Sequence, residues 1–157
     1  MPGQRDDYVL RLIDELRQFV AQLMKLNNVA RLDEALMAAV SAQEKLFARP
    51  ATDFMARPVD EQIRILKTGE SEDTGRTKCL AYAAILEEAG LVYRAKSQED
   101  FANGAFEMAL YVMLSVALES PEGPGLHADV ARLLGRVGPD KLHAIVSNML
   151  DRFIAAG

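Results

Sequence analysis

Between Gly69 and Thr77 the chain reads Gly-Glu-Ser-Glu-Asp-Thr-Gly-Arg-Thr, two glycines ahead of a basic and a hydroxyl residue. A phosphate-cradling loop needs glycine N–H groups, a lysine and a Ser/Thr in a similar order. Here one residue too many separates the glycines, and arginine stands where lysine is required. Three carboxylates within the stretch would also repel a phosphate. It reads as a solvated acidic loop, the segment most suited to mobility.

Cys79, the sole cysteine, lies among Leu80, Ala81 and Ala84. A reactive thiolate needs a basic neighbour or a helix N-terminal field. Lys78 offers a hint of one, yet the apolar setting predicts a buried structural thiol. His127 and His143 are the only histidines and lack the close spacing of metal ligands, so no metal and no cofactor is expected. The pairs Asp14-Glu15 and Glu87-Glu88 are adjacent in sequence, so their members diverge around a helix and read as solvated faces. No catalytic pair or triad can be assembled from these residues, and the chain is expected not to be an enzyme.

Composition narrows the class further. The chain has 157 residues, half of them apolar, enough for one domain with a continuous core. A net charge of −5 gives no global field toward nucleic acid or an anionic membrane. The N-terminus lacks the basic and apolar blocks of a secretory signal. The longest nearly unbroken apolar run, Met108 to Leu118, is about half the roughly 20 residues of a membrane helix. With one cysteine ruling out an intramolecular disulfide, these features predict a soluble cytoplasmic protein, with no nucleic-acid or membrane partner.

The elements that would hold these residues are helices. Val9, Leu12, Leu16, Phe19 and Leu23 recur at three- and four-residue steps, widened by Ile13, Val20 and Met24. Asp6-Asp7 suits the start of that helix and Asn27-Asn28 its stop. The spacing predicts helices over about 6–26, 31–48, 58–68, 74–95, 98–119, 126–137 and 139–155. Pro58 opens the third, and Ser97 with Asp100 forms a capping box for the fifth. The fifth helix is apolar around most of its circumference, which places it at the centre. In the last helix Leu142, Ile145, Val146, Met149, Leu150 and Phe153 should face inward. No strand-like alternation occurs. The expected fold is all-α, six to seven helices in one domain (1–157), with short connections giving antiparallel hairpins.

The spacing of Leu86, Gly90, Tyr93, Ala102, Phe106 and Ala109 resembles a tetratricopeptide repeat, a helix–turn–helix unit of about 34 residues. Gly90, Tyr93, Ala102, Phe106 and Ala109 would then be the helix-packing positions, the small residues letting backbones approach and the aromatics filling beside them. A weaker echo surrounds Leu32-Asp33-Glu34-Ala35-Leu36, about two repeat lengths earlier. The chain departs from that pattern at Gln22-Leu23, where leucine and glycine are usual. It departs again at Leu114, where proline is usual, so the later helix should run on. The resemblance implies a surface for a peptide or partner helix. The opening Asp7-Tyr8-Val9-Leu10-Arg11-Leu12-Ile13 is similar to an uncharacterised bacterial helical family, which carries no activity to transfer.

These observations predict a non-catalytic interaction or assembly module. Its first helix offers more apolar face than one short neighbour covers, so Val9, Leu12, Leu16, Phe19 and Leu23 are the expected seam of a homodimer. Methionines 24, 37, 108, 113 and 149 fit core positions better than an adaptable groove. Tyr8, Tyr111 and Phe153 could anchor an interface. The alternative is a helical bundle holding an apolar small molecule, or a minor enzyme, in an internal pocket. A cavity beside Tyr93, Phe106 and Tyr111 with a converging polar group would favour that alternative.

Overall fold

The computed structural model describes residues 2–26 and 29–157. Among them lie eight α-helices and no strand: α1 (Pro2–Lys25), α2 (Val29–Phe47), α3 (Ala51–Phe54), α4 (Val59–Lys67), α5 (Glu72–Ala95), α6 (Glu99–Glu119), α7 (Leu126–Val137) and α8 (Ala144–Ala156). The proposed stop at Asn27-Asn28 lies outside the described residues, as does the side chain of Asp6.

α5 is the organising element. It packs most extensively on α6 and also contacts α1, α2 and α4. Its start is set by Ser71, whose hydroxyl accepts the Thr74 N–H at 3.2 Å, with Glu72 and Asp73 in the favourable first turn. The acidic stretch expected to be a loop through Gly75 is therefore helical from Glu72. Thr74 is buried in it, and Glu70 pairs with Lys78 at 3.1 Å.

α1 buries Val9, Leu12, Ile13, Leu16, Val20 and Leu23 against α2 and α5, while Asp14 and Glu15 face solvent. The wide apolar stripe is used within the chain. Its cover comes from α5, a long helix far along the sequence, as well as from the adjacent α2.

α6 has the length and apolarity of a membrane-crossing helix, with a mean hydropathy of 1.5. The sequence reading counted only its uninterrupted run and missed this. Phe106, Leu110, Val112, Leu114 and Ala117 nevertheless have no exposed surface, because α5, α7 and α8 surround them. It continues past Leu114 to Glu119, as the missing proline predicts.

Four further expectations need correction. The four-residue α3 was not foreseen; it forms because Glu44 accepts the Ala51 N–H at 2.8 Å and Phe54 stacks on Phe47 at 4.1 Å. Ser97 does not cap α6. It adopts φ +61°, closing the C-terminus of α5, and one residue cannot hold that conformation and the extended one an N-cap needs. Gln98 takes the cap position instead, without a side-chain bond.

The expected helix 139–155 is interrupted. A 3-10 turn at Pro139–Lys141 leads to extended backbone at Leu142 and His143, and α8 begins at Ala144. Glu107 on α6 holds the break, accepting the His143 N–H at 2.5 Å and pairing with its ring nitrogen. That shift of register leaves Ile145 59% exposed, not inward.

Candidate functional site

Gly90 meets Phe106 where α5 crosses α6. A Cβ built on Gly90 would lie 2.5 Å from the Phe106 ring, so only glycine permits the contact. Ala102, Phe106 and Ala109 have no exposed surface. The Phe106 ring is flanked by two guanidinium groups, Arg94 at 4.8 Å and Arg136 at 5.8 Å from its centroid. Tyr93 is half-buried and stacks on the exposed Phe101 at 5.5 Å. Ala102 and Phe106 share a cluster with Tyr93 packed on it, and Ala109 belongs to the main core.

Of the residues singled out as a seam, Leu12, Leu16 and Phe19 line a shallow concavity of about 220 Å³ between α1 and α2. Val9, Leu12, Leu16 and Leu23 are buried inside the single chain and Phe19 is half-buried. Tyr8 is exposed, Tyr111 half-buried and Phe153 buried against His127. The methionines divide. Met113 is core, Met108 and Met149 are half-buried, and Met24 and Met37 are exposed.

A charged concavity of about 450 Å³ lies at Lys67, Glu72, Arg76 and Glu119; two others lie along the central helices. The larger, about 690 Å³, runs between α1 and α7 over α5. Leu10, Ile13, Leu80 and Met113 form apolar wall, and Arg17, Glu87, Glu88, Arg132 and Arg136 supply charge. Glu87 is 6% exposed and takes Arg132 through two bonds of 2.9 and 3.0 Å and Arg136 through one of 2.7 Å. Burial alone would raise its pKa, but hydrogen bonds from Arg132 and Arg136 outweigh that and hold it below the usual range. Its neighbour Glu88 has one loose contact, 3.6 Å to Arg17, and burial pushes its pKa up. The pair is therefore not a solvated face. The signal in the sequence was Arg132 and Arg136, one turn apart on α7, in position to meet a buried acid.

The smaller concavity, about 340 Å³, lies among α2, α5 and α6. Leu36, Val40, Met55, Tyr93, Phe101 and Met108 are among its lining, and polar groups sit at its base. Gln62 is 1% exposed; its amide donates to the carbonyls of Phe54 (3.1 Å) and Arg57 (3.0 Å), and its oxygen accepts the Tyr82 hydroxyl. Burial pushes the Tyr82 phenol up, so it stays a donor. Gln43, 5% exposed, lines the same groove and makes no side-chain hydrogen bond among the described residues. Nothing in the sequence marked Gln43 or Gln62, because each is a lone polar residue on an apolar helical face.

Cys79 is fully buried, and burial pushes its thiol up to about 11. Among the described residues no three His, Cys, Asp or Glu side chains converge as metal ligands.

Fold and sites together define an all-helical domain with a charged concavity toward α1 and α7 and an apolar one toward α2. Comparisons with protein-family models, curated proteins and solved structures found no match to this chain.

Proposed function

We propose that this chain is a non-catalytic docking module of the cytoplasm that pairs with a second copy of itself across the apolar α2–α5–α6 groove. The observation that carries this reading is the lip of the groove, where Phe101 is 64% and Met55 54% exposed, with Met37 nearby on α2 at 72%. Large apolar side chains gathered at a concavity are the usual mark of an interaction site. Among the described residues, Asp100 is the one charged residue lining the groove. Two copies of a chain carrying −5 repel over most of their surfaces, and least where the two grooves meet.

A tetratricopeptide-like pairing of α5 with α6, as an antiparallel hairpin, is part of this reading. It is supported by the Gly90–Phe106 contact and by the buried Ala102 and Ala109. The non-catalytic part is supported by the state of the buried titratable groups. Cys79 is a protonated thiol at neutral pH, and both oxygens of Glu87 are occupied by arginine.

Light scattering tests the reading. A mass twice the 17.3 kDa of one chain, falling to one chain in Phe101→Glu, is expected. A single-chain mass at all concentrations overturns it.

A second reading, a pocket for an apolar small molecule, is favoured by one observation. The groove lies beside Tyr93 and has a buried amide, Gln43, on its wall. Phe106 and Tyr111, expected beside such a pocket, do not line it.

A further inference from the structure

Gln43 is an exception to the way this molecule treats buried polar side chains. Gln62 uses both amide hydrogens and its oxygen, and Glu87 binds two arginines. Gln43, 5% exposed, has no side-chain hydrogen bond to any described residue. Of the polar groups on the groove wall, Gln62 has both amide hydrogens engaged with backbone carbonyls and the Tyr82 hydroxyl donates to Gln62. A buried carboxamide without a protein partner is costly unless water or a ligand pairs with it.

We infer that the α2–α5–α6 groove binds a neutral, mainly apolar small molecule through a carboxamide group paired with Gln43. This rests on the second reading above, in which a ligand and not a second copy of the chain fills the groove, and names its ligand chemistry. A primary carboxamide offers one donor and one acceptor side by side, and another carboxamide complements both. The volume, about 340 Å³, lies at the small end of ligand pockets. Leu36, Val40, Leu86 and Met108 provide the apolar wall for an alkyl or aryl body. Charge selects further. No Lys, Arg or His lines the groove, whereas Asp100 does, so a carboxylate ligand finds no counter-ion and meets a like charge. Methionine side chains at Met55 and Met108 can repack around bodies of different shape. Gly104 lies in the same wall, and a Cβ there would meet nothing within 4 Å. Gly104 is a lining residue with free space around it, so a bulky side chain there probes the groove.

The test uses octanamide and octanoate with the whole chain, read by nitrogen–proton correlation spectra and by melting temperature. Octanamide should shift the Gln43 side-chain amide signals and raise the melting temperature, with octanoate at least tenfold weaker. Gln43→Met should weaken octanamide at least tenfold while the ligand-free protein melts no lower than wild type. Gly104→Leu should abolish binding with the fold retained. Equal binding of octanamide by wild type and Gln43→Met would leave an apolar pocket and overturn the role of Gln43. Equal binding of octanoate would overturn the charge argument. Failure of both ligands to perturb any groove signal would overturn the inference and the small-molecule reading together, leaving the docking reading to its own mass measurement.

Discussion

Gly90 and Phe106 are in contact so close that the Phe106 ring occupies the space any side chain at position 90 would need. Phe106 cannot retreat, because it is fully buried, with Arg94 and Arg136 beside its ring. Gly90→Ala gains up to about 1 kcal/mol in helix propensity but forces an overlap costing about 1–3 kcal/mol. The net result expected in urea unfolding is destabilisation by about 1–2 kcal/mol, and more for Gly90→Leu. Gly104→Ala, on the open side of α6, is the control and should stabilise by about 0.5–1 kcal/mol. Equal responses at the two glycines would show that the junction is not tight.

Leu16 separates two accounts of α1. As a dimer seam, Leu16→Glu would give folded single chains. With Leu16 5% exposed inside the chain, the substitution buries a carboxylate without a partner, and unfolding is expected instead. The milder Leu16→Ala should cost about 2–5 kcal/mol. Circular dichroism decides: a native helical spectrum for Leu16→Glu at 25 °C would return α1 to the surface.

Adjacent residues on α5 should respond to pH with opposite signs. Glu87 has a folded pKa below its unfolded value near 4.3, so its contribution is present above that value and lost as pH falls through the folded one. Glu88 has a folded pKa above its unfolded value. Its ionised form is therefore a cost at neutral pH, relieved as pH falls through the raised pKa and gone below about 4. Glu87→Gln should lose about 1–3 kcal/mol at pH 7, discounted because Arg132 and Arg136 are 40% and 30% exposed. Glu88→Gln should be neutral or gain up to about 1 kcal/mol. Both differences from wild type should shrink toward pH 3 in denaturant titrations. The same sign for both at pH 7 would contradict the geometry.

Removing the free amide of Gln43 should help the ligand-free protein. Gln43→Met keeps the length of the side chain and eliminates an unpaired polar group, so a gain of about 1–2 kcal/mol is expected. A loss of that size in chemical denaturation would mean that the amide is already satisfied.

Cys79 should be inert in the native state. With the thiol pushed up to about 11 and no surface exposed, reaction with an aromatic disulfide at pH 8 should be slow and become fast only in denaturant. Prompt native-state reaction would require an opening of α5.

Local physics made the helices legible. Val9 to Leu23 repeats at helical spacing, Ser120 to Gly125 cannot continue a helix, and the small residues at Gly90, Ala102 and Ala109 mark a close approach. Each depends on residues within a few turns of each other. What failed depended on partners far away. Glu44 and Phe47 create α3, Glu107 breaks the last helix at His143, and the demand of the α5 terminus removes Ser97 as a cap.

The sequence by itself determined an all-α chain and marked Gly90 and Phe106, which meet in a close contact, because periodicity and side-chain size are local quantities. Only the tertiary structure decided which apolar faces are covered, since α5 rather than a second chain lies on much of the α1 stripe. It also decided which polar groups are satisfied. Glu87 and Gln43 are both buried polar residues on helices, and they differ because Arg132 and Arg136 reach one and no described side chain reaches the other.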